Sequence, residues 1–199
     1  MSGPHFSPRP NRAHEIAWRP WGDAAFTEAQ AADKPVLLSI SAVWCHWCHV
    51  MDETSYSDGE VIRGINERYI PIRVDNDERP DVNRRYNMGG WPTTAFLTPG
   101  GEILNGATYV PPDAMRRYVK EIADLWENKR SELEPRLREM KEHEAHARVE
   151  REQKPGDLDV AIVGSIAALI RGQYDPEFGG FGREQIGRAS CRERVYSSV

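Results

Sequence analysis

The run Val36-Leu37-Leu38-Ser39-Ile40 is short, nearly all apolar, and preceded by Lys34-Pro35, which stops any helix before it. A segment of this length and composition suits a strand buried on both faces, and such a strand needs packed layers on either side of it. Within five residues comes Trp44-Cys45-His46-Trp47-Cys48-His49, where the pattern turns helical. A buried strand feeding a helix that opens on Cys-x-x-Cys restricts the chain to a layered fold with two thiols near the end of a strand.

The other elements follow from periodicity. Asp23 to Asp33 reads as a short Ala-rich helix after the loop-like residues 1–21. Ser57-Asp58-Gly59-Glu60 has the form of a capping box, with Ser57 as the cap, opening a helix through Val61, Ile62, Ile65 and Tyr69. Ile70-Pro71-Ile72-Arg73-Val74 is the next strand, Asp81 to Tyr86 a short helix and Thr94-Ala95-Phe96-Leu97 a third strand. Thr98-Pro99-Gly100-Gly101 turns tightly into a strand at Glu102-Ile103-Leu104, making a hairpin. Met115, Tyr118, Val119, Ile122 and Trp126 recur at helical steps and give one apolar face. The order α-β-α-β-α-β-β-α predicts an α/β fold, a central mixed sheet with helices on both faces, and leads towards a thioredoxin-like fold.

Charge and composition narrow the chemistry. The formal net charge is −5 and the cations are interspersed with carboxylates, which argues against nucleic acid as a partner. Neither a secretory signal nor an apolar run near the roughly 20 residues of a membrane span is visible, so no membrane role is expected. Three cysteines, with Cys45 and Cys48 as the single close pair, suit a reducing compartment with one working pair; the cytoplasm is the expected location.

A thiolate at a helix N-terminus faces unpaired N–H groups and the positive end of the helix dipole, so Cys45 is the expected attacking thiol. Cys48, two residues on, can reach back to resolve a mixed disulfide and is expected to be the more buried of the two. His46, when protonated, adds a favourable charge, and Trp44 and Trp47 frame the pair. Inert buried cysteines are a weaker reading of this spacing. Cys-x-x-Cys-His is also the attachment pattern of c-type haem, but that belongs to oxidising compartments. Zinc needs further ligands, for which His143 and His146 are the spaced pair on offer in a charged stretch. Neither group is expected, and no cofactor is assigned. Trp91-Pro92, just before a strand, is the second informative site; the dipeptide alone leaves cis and trans open.

Trp18-Arg19-Pro20-Trp21-Gly22, Asp33-Lys34-Pro35, Cys45-His46-Trp47-Cys48-His49-Val50-Met51, Val74-Asp75 and Gly89-Gly90-Trp91-Pro92-Thr93-Thr94 together resemble the N-terminal domain of the spermatogenesis-associated protein 20 and bacterial thioredoxin-domain family. The likeness covers about residues 14–182. It implies a thioredoxin fold joined to a large α/α-toroid domain similar to sugar epimerases and six-hairpin glycosidases. By the same resemblance Cys45 and Cys48 are the redox pair, and Trp91-Pro92 takes the place of the cis-proline beside it. Trp91, Pro92 and Thr93 then offer contacts to protein thiols or disulfides, and a thioredoxin-like partner recharges the pair. Thioredoxins proper carry a buried carboxylate six residues before the first cysteine. Ser39 stands there, which implies a specialised exchange site.

The expected organisation is a disordered N-terminus at 1–13, a thioredoxin-like domain at 14–130, a charged helical linker at 131–156, and the start of a truncated toroid domain at 157–182. Leu158 to Ile170 is strongly apolar with helical period and would be the first helix of that second domain. Residues 183–199 depart from the family pattern and read as a non-native tail, so Cys191 is given no function.

Overall fold

A computed structural model of the chain describes residues 5–133, 135, 137–139 and 161–174. The chain divides into two compact units, residues 1–145 and 146–199.

In the first unit the elements are α1 (Asp23–Ala32), β1 (Val36–Ser41), α2 (His46–Glu53), α3 (Gly59–Arg68), β2 (Ile70–Asp75), α4 (Pro80–Tyr86), β3 (Thr93–Leu97), β4 (Ile103–Ala107) and α5 (Pro112–Asn128). The sheet runs β2-β1-β3-β4. β1 pairs in parallel with β2 and antiparallel with β3, and β4 is antiparallel to β3. All six residues of β1 are buried, as its composition demands. Because side chains alternate along a strand, β1 feeds two cores. Leu37 joins Phe96 and the apolar faces of α3 and α5, including Val61, Ile65, Val119 and Ile122. Val36, Leu38 and Ile40 join Ile72, Val74 and Leu97 beneath Ala25 and Ala29 of α1 and Val82 and Tyr86 of α4. Helices therefore cover both faces of a mixed sheet, and the fold is thioredoxin-like.

Local chemistry explains where the elements stop. α1 ends at Asp33, which takes the left-handed conformation at φ 53° and donates its N–H to the carbonyl of Gln30 at 3.3 Å. The cap of α3 differs from the sequence expectation. Asp58 accepts the N–H groups of Glu60 and Val61 at 3.0 and 3.1 Å, while the Ser57 hydroxyl donates to the Asp52 carbonyl at 2.5 Å. Ser57 closes a 3-10 turn (Ser55–Ser57), which leaves the extended Asp58 at the cap position.

The hairpin also shifts. Glu102 stays in the turn, its carbonyl accepting the Thr98 N–H at 2.8 Å, and β4 runs to Ala107 opposite a register irregularity at Phe96/Leu97. Gly101 sits at φ 89°, so the turn needs glycine there, and a Cβ would in addition press on the Tyr86 hydroxyl at 3.3 Å.

Residues 5–13 are not the disordered start expected from their composition. The Ser7 N–H donates to Asp52 at 2.9 Å and its hydroxyl to Glu53 at 2.5 Å, and the Arg12 N–H reaches Ser57 at 2.7 Å. Ala13 and Ile16 are buried. The N-terminal stretch is thus strapped along the C-terminal end of α2. Next to it Arg19 forms a parallel bridge with Ile72, adding to the β2 edge where a plain loop was expected.

Residues 130–133, 135 and 137–139 are helical; most of the expected linker at 131–156, and the tail at 183–199 with Cys191, lie outside the described residues. In the second unit α6 (Ala161–Gly172) exposes Ile162, Val163, Ile166, Leu169 and Ile170. Among the described residues no helix is long and apolar enough to cross a membrane.

Candidate functional site

Strand direction gathers the site. β1, β2 and β4 point their C-terminal ends to the same edge of the sheet, and the reversed β3 starts there. That edge therefore receives the cysteine motif after β1, the turn at Asp75–Arg79 after β2, Trp91-Pro92 before β3, and Tyr109 after β4.

Cys45 is the N-cap of α2, and Cys45 and Cys48 are joined in a disulfide with Cα atoms 5.2 Å apart. The Cys48 N–H donates to the Cys45 sulfur at 3.2 Å, so one of the N-terminal donors that the helix leaves without an intrahelical partner is aimed at that sulfur. The backbone holds this sulfur in place: the Cys45 N–H reaches the Ala42 carbonyl at 3.0 Å, and the Cys45 carbonyl accepts from His49 at 3.2 Å. Cys48 is 2% exposed and Cys45 7%, so Cys48 is the more buried of the two. When the disulfide opens, charge appearing on Cys45 meets the N–H groups and dipole of α2.

The Trp91-Pro92 peptide bond is cis. Trp91 packs against the small cluster of Ala42, Cys45 and Cys48 and is fixed from behind, its indole N–H donating to Asn83 of α4 at 3.1 Å. Pro92 is buried. Thr93 is fully buried, its hydroxyl donating to the Gly90 carbonyl at 2.7 Å and accepting the Met88 N–H at 3.1 Å. Its side chain therefore shapes the loop that carries Trp91.

Trp44 lies edge-on to Trp91, ring centres 5.5 Å apart, and its indole N–H donates to Asp77 at 2.9 Å. Trp47 leans the other way, 5.1 Å from Tyr109, with the exposed His46 ring 5.9 Å from it. The structure thus brings together all of Trp44, Cys45, His46, Trp47, Cys48, Trp91, Pro92 and Thr93. Tyr109, Asn83 and Asp77 were not anticipated; each reaches the site through a strand or helix distant in sequence.

Under α2 lies a second unanticipated feature. Asp52, one helical turn after Cys48, is 1% exposed and receives the Arg73 guanidinium on both oxygens at 2.8 and 2.9 Å. Arg73 also reaches Ser41 at 3.3 Å, and its guanidinium lies over the rings of Phe6 and Trp18. Ser39, in register between Arg73 and Thr94, is buried close to Tyr56, whose hydroxyl pairs with Thr94 at 2.9 Å. Burial pushes the Tyr56 phenol up from its ordinary range. The buried carboxylate of this domain is therefore on the motif helix and is neutralised by a strand arginine.

Among the described residues no cluster of three or more His, Cys, Asp or Glu side chains is arranged to hold a metal, and His143 and His146 lie outside them.

Residues 9–145 match the family model Thioredox_DsbH, described as a protein of unknown function, DUF255. The chain belongs to this family. Mouse spermatogenesis-associated protein 20 is 36% identical over 183 residues, covering 83% of this chain and 23% of that protein. The thiol:disulfide interchange protein DsbD of Campylobacter jejuni is 29% identical over 97 residues, 47% of this chain and 17% of that protein. A thioredoxin from Thermus thermophilus superposes with a TM-score of 0.49 at 23% identity, covering 56% of this chain and 91% of that one. The chain spans about a quarter of the length of the spermatogenesis-associated relatives. With its fold and its cysteine pair, this Thioredox_DsbH member carries a domain of the thiol-disulfide oxidoreductase type.

Proposed function

We propose that residues 14–130 exchange disulfides with protein thiols, with Cys45 attacking and Cys48 resolving. The observation that carries this reading is the Cys45 sulfur at the α2 N-cap, accepting the Cys48 N–H, on a residue whose neighbours Trp44 and Trp47 are exposed. In the reducing direction the Cys45 thiolate attacks a substrate disulfide, forming a mixed disulfide and releasing one substrate thiolate. The Cys48 thiolate then attacks the Cys45 sulfur, releasing the second substrate thiolate and leaving Cys45–Cys48 oxidised. The reverse sequence oxidises a substrate dithiol. His46, Trp44 and Trp47 modulate the pair, and the backbone at Trp91-Pro92-Thr93 meets the substrate. A thioredoxin-like partner in the same compartment, taken to be the cytoplasm, recharges the pair.

The test is a Cys48→Ser variant, which should accumulate a mixed disulfide between Cys45 and its substrates, read by mass spectrometry. No trapped species under oxidising stress would overturn the assignment, and insulin reduction separately grades its strength as a reductase.

One observation favours a second role beside this one. α6 presents five large aliphatic residues to solvent, and the relatives that match most of this chain are about four times its length. On this reading the domain is the front module of a longer protein, joined by the charged segment 131–156 to an α/α-toroid domain beginning near 157, with the cysteine pair regulating that partner. Cys45→Ser in a full-length relative should then alter turnover of the toroid domain's own substrate.

A further inference from the structure

Among the described residues of the first unit, the exposed large apolar side chains are Val43, Trp44 and Trp47, and all three lie within five residues of one another around Cys45. Exposed apolar side chains scattered singly over a surface carry no message, whereas three gathered at a reactive sulfur mark a contact surface. Trp44 and Trp47 are 60% and 53% exposed, yet neither is loose. Trp44 is held by Asp77 and stacks edge-on against Trp91, and Trp47 stacks on Tyr109. Trp44 reaches towards one edge of the sheet and Trp47 towards the other, because Asp77 follows the edge strand β2 and Tyr109 follows the opposite edge strand β4.

The ends of this aromatic row differ in charge. On the β2 side, Asp75 and Asp77 fall within three residues that contain no cation, and the neighbouring Arg79 is paired with Asp81 at 2.6 Å. The Asp77 carboxylate that fixes Trp44 is thus also part of a negative rim. From β2 to β4 the sheet is three strand spacings wide, about 14 Å, which an extended chain crosses in roughly four residues.

We infer that the substrate of this site is an extended protein segment whose cysteine has aromatic or large aliphatic neighbours and a lysine or arginine about two residues away, towards Asp75 and Asp77. The inference rests on the disulfide-exchange reading above and adds the substrate's chemistry to it. The apolar neighbours cover Trp47 and Tyr109 on one side and Trp44 and Trp91 on the other, and the cation meets the carboxylate rim. A folded, polar surface carrying a cysteine would leave both aromatic pairs exposed and gain little.

The experiment uses the full chain with Cys48→Ser and with Cys191→Ser, which leaves Cys45 as its one thiol, and a set of five-residue peptide homodisulfides with central cysteine. The adjacent residues are Phe or Ala, and the terminal residues Lys or Glu. Attack by the Cys45 thiolate on either sulfur gives the same mixed disulfide and releases one peptide thiol, so the rate is read by mass spectrometry without ambiguity. Each rate is divided by that of the same peptide with dithiothreitol, which removes intrinsic reactivity. Phe peptides should react about tenfold faster than Ala peptides, in keeping with aromatic contacts worth roughly a kcal/mol. Lys peptides should lead Glu peptides by about threefold, with the gap closing at high salt. Adding Trp47→Ala or Tyr109→Ala should cut the Phe preference, and Asp75→Asn the Lys preference, while far-ultraviolet circular dichroism and a cooperative thermal transition report that the fold is intact. Equal corrected rates, or preferences unchanged in those variants, would overturn the inference and leave the exchange reading standing. Failure of every peptide to be trapped would overturn both.

Discussion

Replacing Arg73 with methionine should be among the most damaging single changes available in this domain. Both members of the Asp52–Arg73 pair are withdrawn from water, with side-chain exposures of 1% and 3%. Arg73→Met keeps an unbranched apolar stem beneath the Phe6 ring but removes both hydrogen bonds to the carboxylate. Asp52 is then left with the Ser7 N–H, at 2.9 Å, as its donor from the N-terminal strap. Breaking one side of a buried pair in this way costs about 3–5 kcal/mol, chiefly because the remaining charge stays desolvated. Such a loss is a large part of the ~5–15 kcal/mol that holds a domain together. For a unit of this size it corresponds to a fall in Tm of roughly 10–20 °C.

Urea and thermal unfolding of the full chain measure this directly. The double variant Asp52→Leu/Arg73→Met removes both charges, so it should recover more than half of the stability that Arg73→Met loses. Hydrogen exchange adds a local readout, since Asp52 anchors the helix whose first turn carries Cys48: amides of α2 should lose protection before those of β1. A loss below about 1 kcal/mol in Arg73→Met, or a double variant no better than the single one, would refute the reasoning, because such values belong to solvated pairs.

Other consequences follow from close contacts and burial. A Cβ at Gly64 would lie 2.8 Å from a methyl of Val119, so Gly64→Ala should lose about 1–2 kcal/mol despite its better helix propensity, and Val119→Ala in the same background should restore part of it. Burial raises the phenols of Tyr56 and Tyr69, so neither should titrate with the exposed tyrosines in an ultraviolet pH titration. The unfolded chain ionises both near pH 10, so their contribution is intact below that pH and is lost as pH rises beyond it; a flat stability curve from pH 9 to 12 would contradict this. Arg79 holds the Asp81 carboxyl down to about 2 through its hydrogen bonds, and the support this gives is lost as pH falls through that value. Carbon-detected NMR should show the shift, and Arg79→Gln should return Asp81 to the ordinary carboxylate range.

The parts of this molecule that could be read from sequence are those whose cause is local. β1 was legible because four apolar residues and a serine between a proline and a cysteine motif have few alternatives, and α5 because its apolar residues keep a helical period over three turns. The cysteine pair was legible because its chemistry lies in a four-residue spacing. Residues 5–13 were misjudged for the opposite reason: Ser7 and Arg12 are ordered by Asp52 and Ser57, each 45 residues away. Arg73 is the single charged residue in the strand segment Ile70-Pro71-Ile72-Arg73-Val74, and nothing in its neighbourhood announces that Asp52 will meet it after a crossover through α3. At α3 the capping-box pattern pointed to Ser57, but the preceding 3-10 turn moved the cap by one residue.

The same division runs through the site. The reactivity proposed for it is local, written in Cys45 and the first N–H groups of α2, so a motif is enough to find it. Its selectivity is not local: the walls beside the disulfide are Trp44 with Trp91 and Trp47 with Tyr109, and three of their supports, Asp77, Asn83 and Thr93, come from separate stretches of chain. These residues meet only because β3 runs against β1 while β2 and β4 run with it, which puts one strand start and three strand ends on a single edge. Two chains with the same Cys-x-x-Cys can therefore share the exchange step and differ in substrate. The place to look for that difference is the residues just beyond each strand at this edge, more than the two residues between the cysteines.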